Sequence, residues 1–555
     1  MTRTSRRITV RYDGASSGTG PLTLGQDNML RCIRNDAPAA INRESVWPVP
    51  DGVTVPQALR ALRELVERHE SLRTSFPRGS GEDGFPDRQV VHAEGEFDVT
   101  VVDAADVPAA GLDPLAEALG RADVALPFDV AAAPRLRFIL LAYGDRVLRL
   151  IAVVCHAGAD GAATAVLIED WLDLAAGKEL PPVTAPTPLR VAAVERSPRG
   201  LRRTDAALRH WARLLATGPL TPFADARIAG PPDHVGAVLV RSAAGARDLA
   251  AVCRRTGAGP SVVVLAAFAA LAAQRAGGHE LMISALSSNR QRAAMTDHVG
   301  TLAQDALLLL DTGVADFDRL VGRAKSAALR AYWHSTLDAE QVWRLVEDTA
   351  HLRGARYPRR LVVNDVSQAV PDAVLDTRPA PAADPELIRL PDQPIGVRLM
   401  FTVLRHGGVL EFVLSACPQV LDAAETEAFA RRLLALLAAA AHGPVPLAAR
   451  PATLRAGEWR QVDGSWIDLA ALRTVLAEVL GAAAVVECVD GRLVARLTTG
   501  DPALTPAVAH RAVVAALPGR DTVMAPHHYV VHGPGGTTEG DGRDPVITAR
   551  LAGLA

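Results

Sequence analysis

Residues 147–171 read VLRLIAVVCHAGADGAATAVLIEDW, and they contain the most informative pattern for predicting the fold. Its first nine residues are apolar and rich in β-branched side chains, which is typical of a strand buried on both faces, although periodicity alone does not exclude a helix. A short polar turn follows, and residues 162–171 carry apolar side chains at helical spacing. The stretch therefore predicts a strand, a short loop and a helix, with His156 at the end of the strand, facing a cleft.

The loop contains residues that can carry chemistry. A neutral imidazole, with an ordinary pKa of about 6.5, can accept a proton at neutral pH, so His156 is a candidate base. Asp160 at the helix start can cap the helix or, in an ion pair, brace the loop. Gly161 permits the close backbone approach that such a turn requires. On their own, these residues also fit an ordinary strand-to-helix turn with a capping aspartate and a satisfied histidine.

The loop resembles the His-His-x-x-x-Asp-Gly motif of nonribosomal peptide synthetase condensation domains and their chloramphenicol acetyltransferase-like relatives. The resemblance implies that His156, Asp160 and Gly161 form the catalytic set. Cys155 stands where the family has its first histidine, a mainly structural position, and we expect a supporting role for it. Because side chains alternate along a strand, Cys155 is expected to face away from the cleft, which argues against a cysteine nucleophile.

Three further segments resemble the same family. Residues 68–76, RHESLRTSF, are similar to its second motif, which implies supporting roles for Arg68 and Arg73. Arg290 lies in an Asn-Arg context that implies an ion pair with the motif aspartate, although a solvated surface arginine is an equally good interpretation. Gln304 replaces the asparagine that the family usually has in a later segment.

The resemblance implies an α/β fold in which two chloramphenicol acetyltransferase-like subdomains form a V-shaped pseudo-dimer with a central tunnel. We place the first subdomain at residues 1–176, a proline-rich linker at 177–204 and the second subdomain at 205–442. A second linker is expected at 443–457. Residues 458–555 then predict a small C-terminal α/β domain.

The C-terminal residues resemble the small subdomain of adenylation domains. No lysine occurs after residue 443 and no large nucleotide-binding domain precedes the segment, so we interpret it as a degenerate remnant with a packing or docking role. A histidine run includes His527, His528 and His532, but strand alternation would put the first on the opposite face from the other two. We therefore expect neither a metal site nor a bound cofactor.

The composition excludes several classes of partner. The chain has 555 residues, 49% of them apolar, and a net charge of -3, which gives no reason to expect nucleic acid or a membrane surface as a partner. Five cysteines are scattered without metal-site or disulfide spacing, which favours a reducing compartment. The first residues lack the apolar run of a signal peptide. We expect a cytoplasmic monomer.

The expected function follows from the resemblance. An acyl or aminoacyl thioester, held on the phosphopantetheine of a partner carrier protein, would be joined to a small-molecule or carrier-bound amine or hydroxyl to give an amide or ester. One alternative is an inactive condensation-like domain that recruits partner enzymes to carrier-bound peptides. Cys155 and Gln304 favour it, whereas intact His156, Asp160 and Gly161 oppose it. Another alternative is an acyltransferase that takes its donor from acyl-coenzyme A.

Overall fold

The structure, a computed structural model, describes residues 4–225, 235–369, 381–393, 396–447, 453–454 and 456–554. The chain is a mixed α/β protein whose described residues form two compact units. Residues 4–203, 288–304 and 366–369 make the first unit, and the remaining described residues make the second.

The first unit is built on two antiparallel or mixed sheets. Its strands are β1 (Ser5–Asp13), β2 (Gly18–Pro21), β3 (Arg43–Trp47), β4 (Thr74–Ser75), β5 (Arg88–Val91), β6 (Glu94–Asp103), β7 (Leu136–Tyr143) and β8 (Arg146–Val154). Its helices are α1 (Leu24–Asn35), α2 (Pro38–Ile41), α3 (Val55–Arg68), α4 (Ala109–Val124), α5 (Gly161–Ala175), α6 (Pro188–Glu195) and the first turns of α7 (Pro198–Thr217). The larger sheet has the order β1-β6-β7-β8-β3, and the smaller one the order β2-β5-β4.

The central strand β8 and the helix α5 confirm the predicted strand, loop and helix. β7 and β8 form an antiparallel hairpin, and the last residues of β8 are buried without interruption. α3 and α5 pack on one face of the sheet, against Leu150, Ala152 and Val154. α4 covers the other face, where Ile151 is buried. A strand covered on both faces has no place for polar alternation, which explains its continuous apolar sequence.

The second unit contains a larger sheet and the C-terminal elements. Its strands are β9 (Val235–Ser242), β10 (Glu280–Ser287), β11 (Gln304–Asp311), β12 (Leu361–Asp365), β13 (Glu386–Gln393), β14 (Leu399–Arg405), β15 (Leu410–Ala416), β16 (Trp459–Val462), β17 (Ser465–Asp468), β18 (Ala483–Val489), β19 (Arg492–Thr498), β20 (His528–Gly533) and β21 (Gly536–Gly540). Its helices after α7 are α8 (Ala243–Thr256), α9 (Pro260–Ala276), α10 (Phe317–Trp333), α11 (Ala339–Arg353), α12 (Ala423–His442), α13 (Leu469–Leu480), α14 (Pro506–Ala515) and α15 (Pro545–Ala552).

The large sheet of the second unit has the order β11-β10-β12-β14-β15-β9-β13. The alanine-rich helix α9 is almost wholly buried in its core, where the ring of Phe268 stacks on Phe401 with centroids 5.1 Å apart. In the described part of the chain, no single helix has the length and apolar character needed to cross a membrane. Only α8 and α9 taken together meet those criteria, and they are bent by 103° at their junction.

The C-terminal elements share a hydrophobic cluster with α7 and α11 of the second unit. Leu472 and Leu476 of α13 belong to the same buried cluster as Trp211 of α7 and Leu345 of α11. The C-terminal residues form the four-stranded sheet β18-β19-β20-β21 with the helices α13 and α14, which is the α/β content that the sequence predicts, although β21 itself was not predicted. The five-part division of the chain into subdomains and linkers stays a prediction.

Two proline-rich stretches contain regular structure that the sequence did not predict. The expected linker 177–204 holds α6 and the start of α7, because Pro188 and Pro198 occupy the first helical position. Proline is favoured there, since that position has no intrahelical partner for its N–H. The proline-rich composition of residues 371–394 predicts a loop, but the segment includes β13, which pairs with β9 at the sheet edge. Residues 370–380 lie outside the described residues.

Candidate active site

His156 follows the last residue of β8 by two positions, and its side chain is half-buried. Its Nδ1 atom is buried and has no hydrogen-bond partner of normal geometry among the described residues. Burial and the positive charge of Arg43 lower the pKa of His156 to about 4, although the charge of Asp160 acts in the opposite direction. The imidazole is therefore neutral at pH 7.

Arg43 is a site residue that sequence reasoning missed. β3 pairs antiparallel with β8 so that Arg43 lies directly opposite Val154. Residues opposite one another in a ladder share a face, and His156 comes two residues after Val154, so the register places Arg43 beside His156. No motif marks an arginine at this position. Only the strand pairing brings it to the site.

Asp160 is buried and all of its hydrogen bonds go to the protein. Oδ1 accepts from the backbone N–H of Ala163 at 3.0 Å and so caps α5. Oδ2 accepts from the backbone N–H groups of Leu302 at 2.9 Å and Ala303 at 3.0 Å. Asp160 thus performs both tasks foreseen for it, since it caps the helix and ties the loop to residues 302–303.

Arg290 supplies the ion pair expected from the resemblance. Its Nη1 donates to Oδ2 of Asp160 at 2.8 Å, and the two side chains are 6% and 1% exposed. Nη2 donates to the carbonyl oxygens of His298 at 3.1 Å and Gly300 at 3.0 Å. Burial alone would raise the pKa of Asp160, but the Arg290 charge and the N–H donors lower it. Asp160 is therefore a fixed anion that positions the His156 loop.

The two glycines of the loop differ in what the structure requires of them. A Cβ on Gly158 would lie 2.5 Å from Cβ of Arg135, which no real side chain tolerates. A Cβ on Gly161 would meet only Cβ of Ala369, at an ordinary 3.9 Å. The close backbone approach predicted for Gly161 is therefore found at Gly158. Gly161 is exposed as the first residue of α5.

Cys155 faces away from His156, as strand alternation predicts. Its side chain is fully buried in a small apolar cluster with Leu22 and Phe76. The guanidinium of Arg135 lies beside it, with Nη1 3.9 Å from Sγ. A thiol enclosed in this way contacts neither solvent nor the imidazole. Its surroundings are those of a packing residue.

The 68–76 segment holds the His156 loop and α5 in place. Arg68 Nε and His69 Nε2 both contact Oδ2 of Asp170 on α5, at 2.8 and 2.7 Å. The hydroxyl of Ser71 donates to the carbonyl oxygen of Gly158. Asp170 was not predicted from the sequence, because α5 carries three carboxylates, Glu169, Asp170 and Asp173, and no local signal distinguishes the one that pairs with Arg68. These contacts make the segment architectural.

Arg73 and Gln304, the other two supporting residues, bond to backbone. Nη1 of Arg73, which is 2% exposed, donates to the carbonyl oxygens of Ser16 and, at 2.7 Å, His92. Nε2 of Gln304 donates to the carbonyl oxygen of Leu24 at 3.4 Å. The longer side chain therefore still uses its amide. Any role of these residues in a reaction stays a prediction.

The histidine run of the C-terminal residues is dispersed among other partners. Nδ1 of His527 accepts from the backbone N–H of Leu493 at 3.0 Å, and Nδ1 of His532 lies 2.9 Å from Oγ1 of Thr537. Within the ranges that the structure covers, no three His, Cys, Asp or Glu side chains are grouped as metal ligands.

A histidine loop of this form, on a two-sided mixed sheet, defines the class of protein built on the condensation-domain fold. The condensation domain of the Monacolin K polyketide synthase superposes with a TM-score of 0.63 and 19% identity, over 78% of this chain and 99% of that one. The X-domain in a complex with OxyB from teicoplanin biosynthesis superposes with a TM-score of 0.56 and 22% identity, over 76% of this chain and 93% of that one.

The chain belongs to the condensation-domain family, because the family model for the condensation domain matches residues 17–459. Phosphinothricin tripeptide synthetase PhsB of Streptomyces viridochromogenes is 28% identical over 328 residues, which is 56% of this chain and 26% of that protein. The first curated relatives are far longer than this chain, which covers between 4% and 26% of their length. These relatives are enzymes of nonribosomal peptide synthesis.

Proposed function

We propose that this condensation domain is an acyltransferase that forms an amide, or an ester, from a carrier-bound thioester and an amine or hydroxyl. Condensation domains catalyse amide-bond formation, and the relatives of this chain belong to nonribosomal peptide synthesis. Carrier proteins bearing phosphopantetheine are the proposed partners. We further propose that the domain works as a monomer in the cytoplasm, in keeping with its five free cysteines.

One observation carries the proposal: a half-buried imidazole with an unpartnered Nε2 stands on a loop that a buried ion pair holds in place. With the ring proton on Nδ1, Nε2 presents a lone pair to the reactants. A pKa of about 4 keeps that lone pair available at neutral pH. Such a ring orients the attacking N–H or O–H group and accepts its proton briefly.

The proposed reaction has two bond changes. The neutral nitrogen attacks the thioester carbonyl, so a C–N bond forms and the carbonyl oxygen becomes an oxyanion. The nitrogen gives up a proton through Nε2 of His156, the oxyanion collapses and the C–S bond breaks. The departing thiolate takes the proton, because the thiolate of a thiol with a pKa of about 8.5 is a stronger base than this imidazole, whose pKa is about 4. The first turn of α5, where Gly161 is exposed, supports the oxyanion.

Most of the acceleration is assigned to positioning. A general base contributes roughly 10² to 10⁴ in rate, and holding two reactants in attacking geometry contributes more. His156→Ala should therefore lower kcat by about 10²-fold or more and leave a measurable residual rate.

The test uses the whole chain with an acyl group loaded on a carrier protein, an amine acceptor and product detection by mass spectrometry. Wild-type turnover that falls in His156→Ala and persists in the control His279→Ala, an exposed histidine, supports the transferase. Product from acyl-coenzyme A in place of the loaded carrier would support the coenzyme-dependent alternative.

A second candidate function is the recruitment of enzymes to carrier-bound peptides without turnover. The specific observation that favours it is Cys155, which replaces the family's first histidine with a buried packing residue. A fold likeness to an X-domain that was solved in complex with OxyB is in keeping with it. Carrier binding without product from any donor, and without any effect of His156→Ala on that binding, would select this function over the transferase.

A further inference from the structure

The guanidinium of Arg43 forms no ion pair with a carboxylate among the described residues, and its charge reaches the imidazole of His156. Its Cα lies opposite Val154 in the β3–β8 ladder, so its side chain shares a face with His156. Its charge is felt by the imidazole, where it is the largest influence after burial. The charge of the next residue, Glu44, favours the charged form of Arg43, but the Glu44 side chain lies on the opposite face of the strand, against Gly120 of α4, and forms no ion pair with the guanidinium.

Arg43 makes no ion pair and no side-chain hydrogen bond within the part of the chain that the structure covers, which sets it apart from Arg290 and Arg73 at the same site. Its side chain is reachable by solvent, yet it lies deep enough among protein atoms that burial lowers its pKa. Five N–H donors arranged as a fork are left for something that enters from outside.

We infer that Arg43 is a specificity-determining residue that binds a carboxylate on one of the two reactants, next to the bond that forms at His156. The inference rests on the proposed function, in which the bond formed at His156 is an amide or an ester. A planar guanidinium matches a carboxylate with two parallel hydrogen bonds, which fixes the orientation of the reactant as well as its charge. The carboxylate comes either from the acyl donor, as in a dicarboxylic acyl group, or from an acceptor that is a free amino acid.

The preference should be measurable without any turnover. A site that holds one ionised partner loses a charged hydrogen bond when the ligand is neutral, which corresponds to roughly a tenfold to hundredfold loss of affinity. Two pairs of probes isolate that charge. Succinyl-N-acetylcysteamine and its methyl ester differ at the donor, and L-alanine and L-alaninamide differ at the acceptor.

The experiment measures the Kd of all four probes for the whole chain by calorimetry, with wild type, Arg43→Gln, Arg43→Lys and the control Arg11→Gln. Arg11 is an exposed arginine of β1 in the same unit. We expect one charged probe to bind wild type and Arg11→Gln at least about tenfold more tightly than its neutral partner. Arg43→Gln should abolish that difference while it leaves the neutral probe unchanged, and Arg43→Lys should retain part of it. The pair that shows the difference identifies the source of the carboxylate.

A second readout reports the position of the charge directly. The pKa of His156, followed by NMR of histidine-labelled protein and assigned with His156→Gln, should rise in Arg43→Gln because a nearby positive charge is removed. Circular dichroism checks that each variant is folded, and the wild-type comparison of probes requires no variant.

The two proposals fail in different ways. Equal affinity for charged and neutral members of both pairs in wild type, or a preference that survives in Arg43→Gln, overturns the role of Arg43. Turnover of neutral reactants without any charge preference overturns it too and keeps the acyltransferase. Charge-selective binding without product from any donor keeps Arg43 as an anion site and overturns the acyltransferase.

Discussion

At the scale of single residues, the site separates the groups that hold the loop from His156, the group that we propose to contact a reactant. Asp160 has its oxygens engaged by Ala163, Leu302 and the guanidinium of Arg290, whereas Nε2 of His156 has no protein partner in the described chain. The sequence predicted both residues and their pairing partner through the family motif. It did not predict Arg43, because its place beside the imidazole depends on the register of two strands far apart in sequence.

The pH dependence of kcat/KM should follow the ionisation of the acceptor and not the ionisation of His156. Because burial and Arg43 lower the pKa of His156 to about 4, the ring stays neutral from pH 8 down to about pH 5. With an α-amine acceptor, kcat/KM should fall about tenfold per pH unit below pH 8, since the amine itself becomes protonated. With a hydroxyl acceptor it should stay constant over that range. A hydroxyl profile that bends near pH 6.5 would contradict the lowered pKa.

The two loop glycines provide a matched pair. Gly158→Ala places a methyl group against Arg135 and should lower the free energy of unfolding by about 1 to 3 kcal/mol. Gly161→Ala has room beside Ala369 and should leave stability within about 0.5 kcal/mol of wild type. Urea unfolding of both variants measures the difference. Equal losses would mean that the loop backbone relaxes around the added methyl group.

At the scale of elements, the hairpin β7–β8 and the helix α5 were predictable because continuous burial leaves a continuous apolar sequence. The start of α6 and of α7 was missed, since Pro188 and Pro198 were interpreted as breaks where they are first helical residues. The strand β13 was hidden because edge strands tolerate residues that central strands exclude. Proline counts therefore predict boundaries better than they predict loops.

The N-terminal cap of α5 is Asp160, and its negative charge is required to pair with the buried Arg290. Asp160→Asn keeps a side chain able to cap the helix but leaves Arg290 buried without a counter-ion, and should cost about 3 to 5 kcal/mol of unfolding free energy. Asp316→Asn, at the partly exposed cap of α10, where the only ion-pair partner among the described residues is the exposed Arg319, should cost less than about 1 kcal/mol. Chemical denaturation of the two variants tests this, and similar losses would contradict an essential ion pair.

At the scale of the whole molecule, the residues beyond the family match are part of the second unit's core. Leu472 and Leu476 are buried in one cluster with Trp211 and Leu345, which lie within residues 17–459. The sequence predicted the elements of this segment from turn and helix signals, but could not show which apolar surfaces they cover. The local sequence shows that a side chain is apolar, but it does not show which residues, far away in the sequence, will cover it.

A chain that ends at residue 459 should therefore be unstable. Removal of α13, α14 and the sheet β18–β21 exposes the apolar side chains of α7 and α11 that they cover. We expect a lower Tm and strong binding of the dye ANS relative to the full chain. Removal of residues 545–555 alone should have a smaller effect, since α15 has no buried residue among those described. An unchanged Tm in the longer truncation would show an independently folded segment.

Acid should destabilise the folded chain before its carboxylates titrate. Burial lowers the pKa of His298 and of His510 to about 4, against about 6.5 in an unfolded chain. Between pH 6.5 and pH 4 these histidines are protonated in the unfolded state but neutral in the folded state. Their contribution to the free energy of unfolding is therefore complete above pH 6.5 and is lost as the pH falls toward 4. Together with His156, whose pKa is also lowered to about 4, these groups predict a loss of about 5 kcal/mol from pH 7 to pH 5. Urea midpoints measure it, and pH-independent midpoints would contradict it.

The border position of β3 in its sheet has a practical consequence. The strand order ends with β3, so it has a single neighbour, and exchanging the side chain at position 43 leaves the backbone ladder to β8 untouched. In the proposed role of Arg43, the selection of the reactant depends on one position that tolerates substitution. That position is separate from Asp160 and Arg290, which hold the His156 loop. A small library at this one codon is enough to look for enzymes that accept neutral or cationic building blocks.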